Sequence, residues 1–492
     1  MALGEIGSVL DTLEFDTATG QSPHMVRVSG DVYACAYGGF GSDGFVTTFT
    51  VDSSGTIGNS VIDTLEFDTS GCNNPKIRNI SGDVYAIVYD ATGSFTKIVT
   101  VDIDSSGNIA AAVIDSFSIA AGGNSWPSRL VPVSGDTYAV AHTIAASDGE
   151  VFTIDIDSSG NIGATALDTF AYSGTGVTGD LINISGTTYA VAYRGPSGVG
   201  RVLTFSIAAD GTTTGGLDAS DFDDTNCTYP RILNVSGDVY VIAYQGALND
   251  GFAKTLTIDS AGTISAVIDT LEFETTNCFY VDMVPVTGNT YAVVYWKSSS
   301  SGNLATFTVS SAGAFSAVLG TSEFESTTFG TWPSMTTISG SVVCVVYQGV
   351  DIDGFAKTFF IDGLPIAIST QNSTDVTGTT ATGNGNMESL GNSPVTAHGH
   401  CWDTSTDPTT SDSSVDNGAA ASTGAFTSSI TGLSAGTLYF ARAFATNTGG
   451  TSYGANVSFI ASAPTVITLT CEDVVGVTAT GRGDILHLGG SS

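Results

Sequence analysis

A Ser/Thr-Gly dipeptide recurs at Ser29-Gly30, Ser81-Gly82, Ser134-Gly135, Ser185-Gly186, Ser236-Gly237, Thr287-Gly288 and Ser339-Gly340, at spacings of 52, 53, 51, 51, 51 and 52 residues. A constant period of this size confines the chain to repeat architectures, in which each unit hides its apolar surface against the next. The unit from Pro230 reads PRILNV, a turn at SGD, VYVIAY, a variable polar loop, FAKTLTI, a turn at DSAG, and TISAVIDTLEF. These segments are strands A, B, C and D. Strand B is apolar throughout, as from Tyr240 to Tyr244, so it is covered on both faces.

Four strands per period of about fifty residues mark propeller blades rather than helical solenoids. The 60 glycines and 12% charged residues agree with short strands joined by tight turns. The chain opens on a D strand, Val9 to Phe15, and the seventh unit stops after its C strand, Phe355 to Ile361. Pairing the two closes a ring and removes its open edges. The predicted fold class is all-β: a seven-bladed β-propeller over residues 1–363, closed by an N-terminal strand.

Beyond the ring the pattern changes. The stretches TTATGNGNM, HGHCWDTSTDPTTSD and ITGLSAGTLYFARAFATNTGGTSYG lie within residues 364–462, which resemble the fibronectin type III-like modules of large bacterial surface and phage structural proteins. The resemblance implies a β-sandwich with Tyr439 as its corner tyrosine and Trp402 in its core. Residues 463–492 start a second copy, since VTATGRGDILHLGG echoes TTATGNGNMESLG at an offset of 98 residues. Two strands make no sandwich, so either the chain continues past Ser492 or these strands complete a neighbour's sheet; continuation is the simpler expectation.

Net charge is −35, from 48 acidic and 13 basic side chains, which argues against a nucleic-acid partner. No run of eighteen apolar residues and no signal peptide is visible, so membrane insertion is not expected. Seven cysteines form no disulfide framework. Cys72, Cys227 and Cys278 lie nine residues before their anchors, where the other repeats carry Gly20, Ser125, Gly176 and Gly330, so the position selects a small side chain.

Several motifs have plain structural readings. The D-strand pairs Asp11 with Glu14, Asp63 with Glu66 and Asp269 with Glu272 recur across blades, whereas a catalytic pair is unique. The DIDSSGN turns carry Asp102, Asp104, Asp155 and Asp157 at spacings that resemble part of a calcium loop, but the distal Glu is missing and a hairpin turn accounts for them. These turns sit where sialidase-like propellers carry Asp-boxes, and the Ser-x-Asp-x-Gly-x-Thr-Trp order is absent. His398 and His400 beside Cys401 show no further metal ligands, and no metal or other cofactor is expected. Arg482-Gly483-Asp484 aligns with Asn384-Gly385-Asn386 of the first copy, and its match to an adhesion tripeptide is incidental. Three of six Asn-x-Ser/Thr sequons, at Asn79, Asn183 and Asn234, arise from the repeated turn.

Five residues before the anchors stand His24, Lys76, Arg129, Asp180, Arg231, Asp282 and Ser334. They predict a largely charged ring at one mouth of the channel, flanked by Trp126, Tyr229, Tyr280 and Trp332. Aromatic faces beside Arg and Asp suit a sugar. The bland alternative is that the charges neutralise one another and the aromatics cap the blades. Two functions follow: a non-enzymatic extracellular or virion surface protein, engaging a surface glycan or the subunits of a larger assembly, or a glycan-processing enzyme. The enzyme needs a carboxylate pair, for which only Asp180 and Asp282 stand in the ring, and Arg231 between them would lower their pKa values.

Overall fold

The computed structural model describes residues 4–121, 126–144, 148–174, 179–297, 301–326, 332–361, 366–391, 394–447, 450–462, 465–468, 472–475, 478–480 and 483–487. The chain divides into two compact units, Gly4–Ile361 and a second from Asp362 onward. The first holds seven four-stranded antiparallel sheets, each built in the order A-B-C-D. In the fifth blade the strands are Thr228–Ser236, Val239–Gln245, Gly251–Thr257 and Asp269–Glu274. The unit is a seven-bladed β-propeller, and the N-terminal strand closes it: Ile6–Asp16 pairs antiparallel with Gly354–Ile361 as the outer strand of the seventh blade.

The core sits between blades. Strand B is fully buried in the fifth and seventh blades, and Tyr33, Tyr85, Tyr189, Tyr244, Tyr295 and Tyr347 are among its largest members. The A-to-B turns need a left-handed residue, supplied by glycines such as Gly30, Gly82 and Gly237 at φ 52°, 51° and 53°. The D strand is shorter than its sequence pattern suggests. In the fifth blade only Asp269–Glu274 joins the sheet, while Ile264 makes an isolated bridge to Ile258.

Two repeated contacts latch neighbouring blades at six of the seven junctions. A D-strand aspartate accepts a backbone N–H from the following blade's C-to-D turn: Asp63 from Ile109 at 2.8 Å, Asp115 from Ile162 at 2.8 Å, Asp218 from Ile264 at 2.9 Å. A buried C-strand threonine donates to the turn's glycine carbonyl, as Thr204 does to Gly262 at 2.6 Å and Thr358 to Gly55 at 2.5 Å. At the junction of the sixth and seventh blades Gly320 stands where the aspartate would be, and Thr306 donates to the carbonyl of Gly4 instead. The residues just before the closing strand thus take the place of the missing turn.

A second clasp lies at the end of strand D. Asp68 accepts from Tyr89 and, at 2.6 Å, from Lys97; Asp223 accepts from Tyr244 at 2.6 Å and Lys254 at 3.0 Å. Glu274 with Tyr295 and Lys297, and Glu325 with Tyr347 and Lys357, repeat the pattern. Burial alone would raise the Asp68 carboxyl, but Lys97, Ser70 and Tyr89 reverse this and bring it to about 2.

The second unit holds a three-stranded sheet (Ala367–Thr374, Thr380–Ser389, Gly424–Thr431) and a five-stranded sheet centred on Ala397–Asp403 and Leu438–Asn447. Trp402 packs between them with Ala381, Ile430 and Ala441, so the unit is a β-sandwich. Tyr439 Oη accepts the backbone N–H of Ser434 at 3.1 Å, a corner contact that pins the turn before its strand. The last segment departs from the two strands expected. Four short strands form two pairs, Thr465–Thr468 with Gly483–His487 and Glu472–Val475 with Thr478–Thr480.

Candidate binding site at the channel mouth

The innermost strands enter the ring through a repeated backbone irregularity. Their pairing with strand B skips two residues between Gln21 and His24, Asn73 and Lys76, Thr228 and Arg231, and Phe279 and Asp282. The skipped residue is left-handed: φ is 50° at Ser22, 49° at Asn74, 54° at Tyr229 and 55° at Tyr280, with Trp126 at 40° and Trp332 at 65°. Bulky side chains seldom accept this conformation, and it is placed before proline at Pro23, Pro75, Pro127, Pro230 and Pro333. Asn74, Trp126, Tyr229, Tyr280 and Trp332, five of the six left-handed residues, line the mouth.

All eleven residues singled out in sequence, His24, Lys76, Trp126, Arg129, Asp180, Tyr229, Arg231, Tyr280, Asp282, Trp332 and Ser334, line one cavity of about 110 Å³ to which every blade contributes. Four aromatic rings form its lip. Trp332 lies 4.2 Å from Tyr280, 4.7 Å from Tyr229 and 4.7 Å from Trp126, measured between centroids, and Tyr229 lies 4.9 Å from Tyr280. In three of the four blades that carry an aromatic the ring residue follows it by two positions.

Beneath the lip the charges pair across the channel. Asp282 Oδ1 accepts from Arg129 Nη2 at 3.1 Å and Arg231 Nε at 2.9 Å, and Arg231 Nη1 also binds Asp180 Oδ2. Burial pushes the Asp282 carboxyl up, but Arg129, Arg231 and the N–H of Met335 more than offset this and hold it below the usual carboxylate range. Three ring side chains also accept a backbone N–H of the next blade. Asp282 Oδ2 takes that of Met335 at 2.9 Å, Asp180 that of Ile232 at 3.2 Å, and His24 Nδ1 that of Ile77 at 3.3 Å. Burial first, then Arg129, Lys76 and Arg231, keep His24 neutral by pushing its pKa well down. Lys76 is different: its Nζ donates to Asn74 Oδ1 at 2.6 Å, and among the described residues it has no carboxylate within ion-pair reach.

The other motifs resolve into structure. Asp104 Oδ1 accepts the N–H groups of Ser106 and Asn108, its Oδ2 the Asn108 amide, and Asp157 repeats this with Ser159 and Asn161. Asp155 accepts from Thr137 Oγ1 at 2.7 Å. These are hairpin turns using their own oxygens, and no cluster of three metal-ligating side chains occurs among the described residues. Cys227 and Cys278 are buried against Gly200 and Gly251 of the preceding blade, whose bare Cα leaves room for them: a Cβ there would come within 3.0 Å of either cysteine; Ser125, Gly176 and Gly330 lie outside the described residues. His398 and His400 both pack on Phe426, at 4.8 and 5.3 Å. Asn79, Asn183 and Asn234 each donate to the carbonyl of their turn glycine, at 2.8, 3.1 and 2.8 Å. Gly483 and Asp484 open a short strand, and Arg482 lies outside the described residues. Sequence reading missed the acids that end strand D, although Asp16, Asp68, Asp223 and Glu274 each precede a strand-B tyrosine by 21 residues.

No protein-family model matches the chain, and no curated protein matches it in sequence. Solved propellers do match in shape. The lectin BP39L from Burkholderia pseudomallei is 11% identical, with a TM-score of 0.52 over 70% of this chain and 96% of the lectin. The WD40 domain of Toxoplasma gondii coronin is 8% identical, with a TM-score of 0.48 over 73% of this chain and 89% of that domain. Likeness at this identity is one of fold. Among the described residues no helix is long and apolar enough to cross a membrane.

Proposed function

We propose that the propeller is a non-catalytic recognition module that holds a glycan at its channel mouth, carried on a bacterial or virion surface and followed in sequence by fibronectin type III-like modules. The observation that carries this reading is the aromatic lip. Trp126, Tyr229, Tyr280 and Trp332 come from four blades, all from left-handed backbone, and converge over a charged floor. A blade needs no aromatic there, since Ser22 and Asn74 occupy the same bulge in the first two blades. Backbone strain of order 1–3 kcal/mol per residue persists where the surroundings hold it, commonly at ligand sites. Aromatic faces cover the CH surfaces of a sugar while the floor meets its polar groups.

Binding is favoured over hydrolysis because Asp180 and Asp282 share one guanidinium, Arg231, and Asp282 is held in its ionised form. A glycosidase acid needs the opposite shift. The test is a glycan array followed by titration calorimetry with the full chain and its Trp332→Ala variant, beside chromatography of each bound glycan after prolonged incubation. Binding lost in the variant with glycans left intact supports the reading. Cleaved glycan, or binding that ignores Trp332, overturns it.

A further inference from the structure

Resting on that reading, we infer that the ligand is a carboxylated sugar whose acid group enters the cavity between the second and third blades and is met there by Lys76 and Arg129. The floor holds three cations, Lys76, Arg129 and Arg231, against two carboxylates, Asp180 and Asp282. The carboxylates pair with the arginines: Arg231 bridges both, and Arg129 takes a further approach to Asp282 Oδ1. Lys76 is the cation left over, its ammonium resting on a neutral amide oxygen. In a chain of net charge −35 such a cation is not a by-product of composition. Burial and then the charge of Arg129 disfavour this ammonium, Asp282 and Asp180 offset them only in part, and a bound anion lowers the remaining cost.

The lining selects the kind of ligand. Four aromatic side chains and the charged groups line the same cavity, so the sugar body rests on the rings while one charged substituent reaches Lys76 and Arg129. Arg129 spends one N–H on Asp282, at 3.1 Å, and its guanidinium keeps donors for a second oxygen. A carboxylate offers two oxygens, one for Lys76 and one for Arg129. A neutral hydroxyl group would leave the ammonium uncompensated.

Protonation supplies an independent handle. Burial, and then the charge of Arg129, bring Lys76 to about 7, so at pH 7.5 to 8 part of the population is neutral. Carboxylate binding restores the charge, so complex formation takes up protons from solution.

The experiment titrates the full chain with oligogalacturonate and with sialyl-oligosaccharides, each beside its methyl ester, and with sodium acetate, at pH 7.5 in two buffers of different ionisation enthalpy. The expected result is that one acid binds at least tenfold tighter than its ester, with proton uptake, and that acetate binds at least a hundredfold more weakly than that acid. Lys76→Met brings the ratio of acid to ester affinity down to about one. The proton uptake is read on the unmodified protein and needs no variant to fold. Equal binding of acid and ester, both lost in Trp332→Ala, overturns the carboxylate inference and leaves glycan recognition standing. A preference that survives Lys76→Met, or acetate binding as tightly as the sugar acid, also overturns it. No binding of any acid, ester or neutral glycan overturns both readings.

Discussion

Arg129, two residues before the innermost strand of the third blade, and Asp282, on the innermost strand of the sixth, are 153 residues apart and meet across the channel at 3.1 Å. The floor of the mouth is therefore a cross-brace as well as a surface. Asp282 also accepts the N–H of Met335 in the next blade, so one carboxylate ties the third, fifth, sixth and seventh blades. Recognition chemistry and ring rigidity share the same side chains.

Replacing Asp282 by Asn is expected to destabilise the propeller by roughly 3 kcal/mol, because it leaves Arg129 and Arg231 without their shared counter-charge in a confined site. The Asn oxygen can still accept from Met335, so the loss reports the ion pairs. Urea unfolding followed by tryptophan fluorescence measures it, and a change below about 0.5 kcal/mol would mean the brace is mechanically idle.

Acid should weaken the ring over a defined window. Asp282 and Asp223 are held low, and Asp68 is brought to about 2, by partners that exist only in the folded state. Between the unfolded value of about 3.9 and these folded values the unfolded chain binds more protons, so stability is present above pH 4 and falls as pH drops toward 2. Melting temperature measured from pH 5 to 2 should fall less in Asp68→Asn than in the unmodified protein. A parallel decline would place the acid sensitivity elsewhere.

The blade latches predict additivity. Asp63→Ala leaves the N–H of Ile109 without its acceptor, and Asp218→Ala does the same to Ile264. Each should cost about 1–2 kcal/mol. The two sites lie in different junctions, so the double variant should equal the sum within about 0.5 kcal/mol. Non-additivity beyond that would show strain passing around the ring.

What sequence reveals here follows from which interactions are local. The period was legible because six of the seven A-to-B turns hold a left-handed glycine after Ser or Thr, as at Gly30 and Gly237, and the seventh keeps the same dipeptide at Ser339-Gly340. The ring residues were legible as positions, since a fixed offset from that turn puts them at one height. Their partners were not: Arg129 and Asp282 are related only through closure of seven blades, and no spacing rule carries that. The aromatics read as loop residues because left-handed backbone before proline runs against their ordinary preference. The D-strand aspartates read as structural without an assigned partner, because the acceptor and its N–H donor, Asp63 and Ile109, lie 46 residues apart in different blades.

Closure by the N-terminal strand has a direct consequence. Removing residues 4–16 would bare the edge of Gly354–Ile361, and would take Asp11 from the N–H of Ile57 and the Gly4 carbonyl from Thr306. An unpaired apolar edge recruits other strands. The shortened chain should elute as oligomers in size-exclusion chromatography, and adding the excised strand as a peptide should restore the original elution. A truncated chain that stays monomeric and melts unchanged would show that the strand is dispensable for the ring.

Lys76 is the one ring residue whose folding cost should depend on alkaline pH. Its pKa of about 7 in the folded protein lies below the value of about 10.4 in an unfolded chain. Between these values the unfolded state binds the extra proton, so this residue's contribution to stability rises as pH climbs from 7 to about 10. Below pH 7 the ammonium is charged in both states and folding carries the full cost of confining it. Lys76→Met lacks that cost, so without ligand it should melt above the unmodified protein at pH 6, and the gap should close by pH 10. With a bound carboxylated sugar the order should reverse at pH 6, since only the lysine gains from the anion. A melting difference independent of pH would show that the ammonium is already compensated by solvent in the channel, and would remove the reason for an anion to bind there.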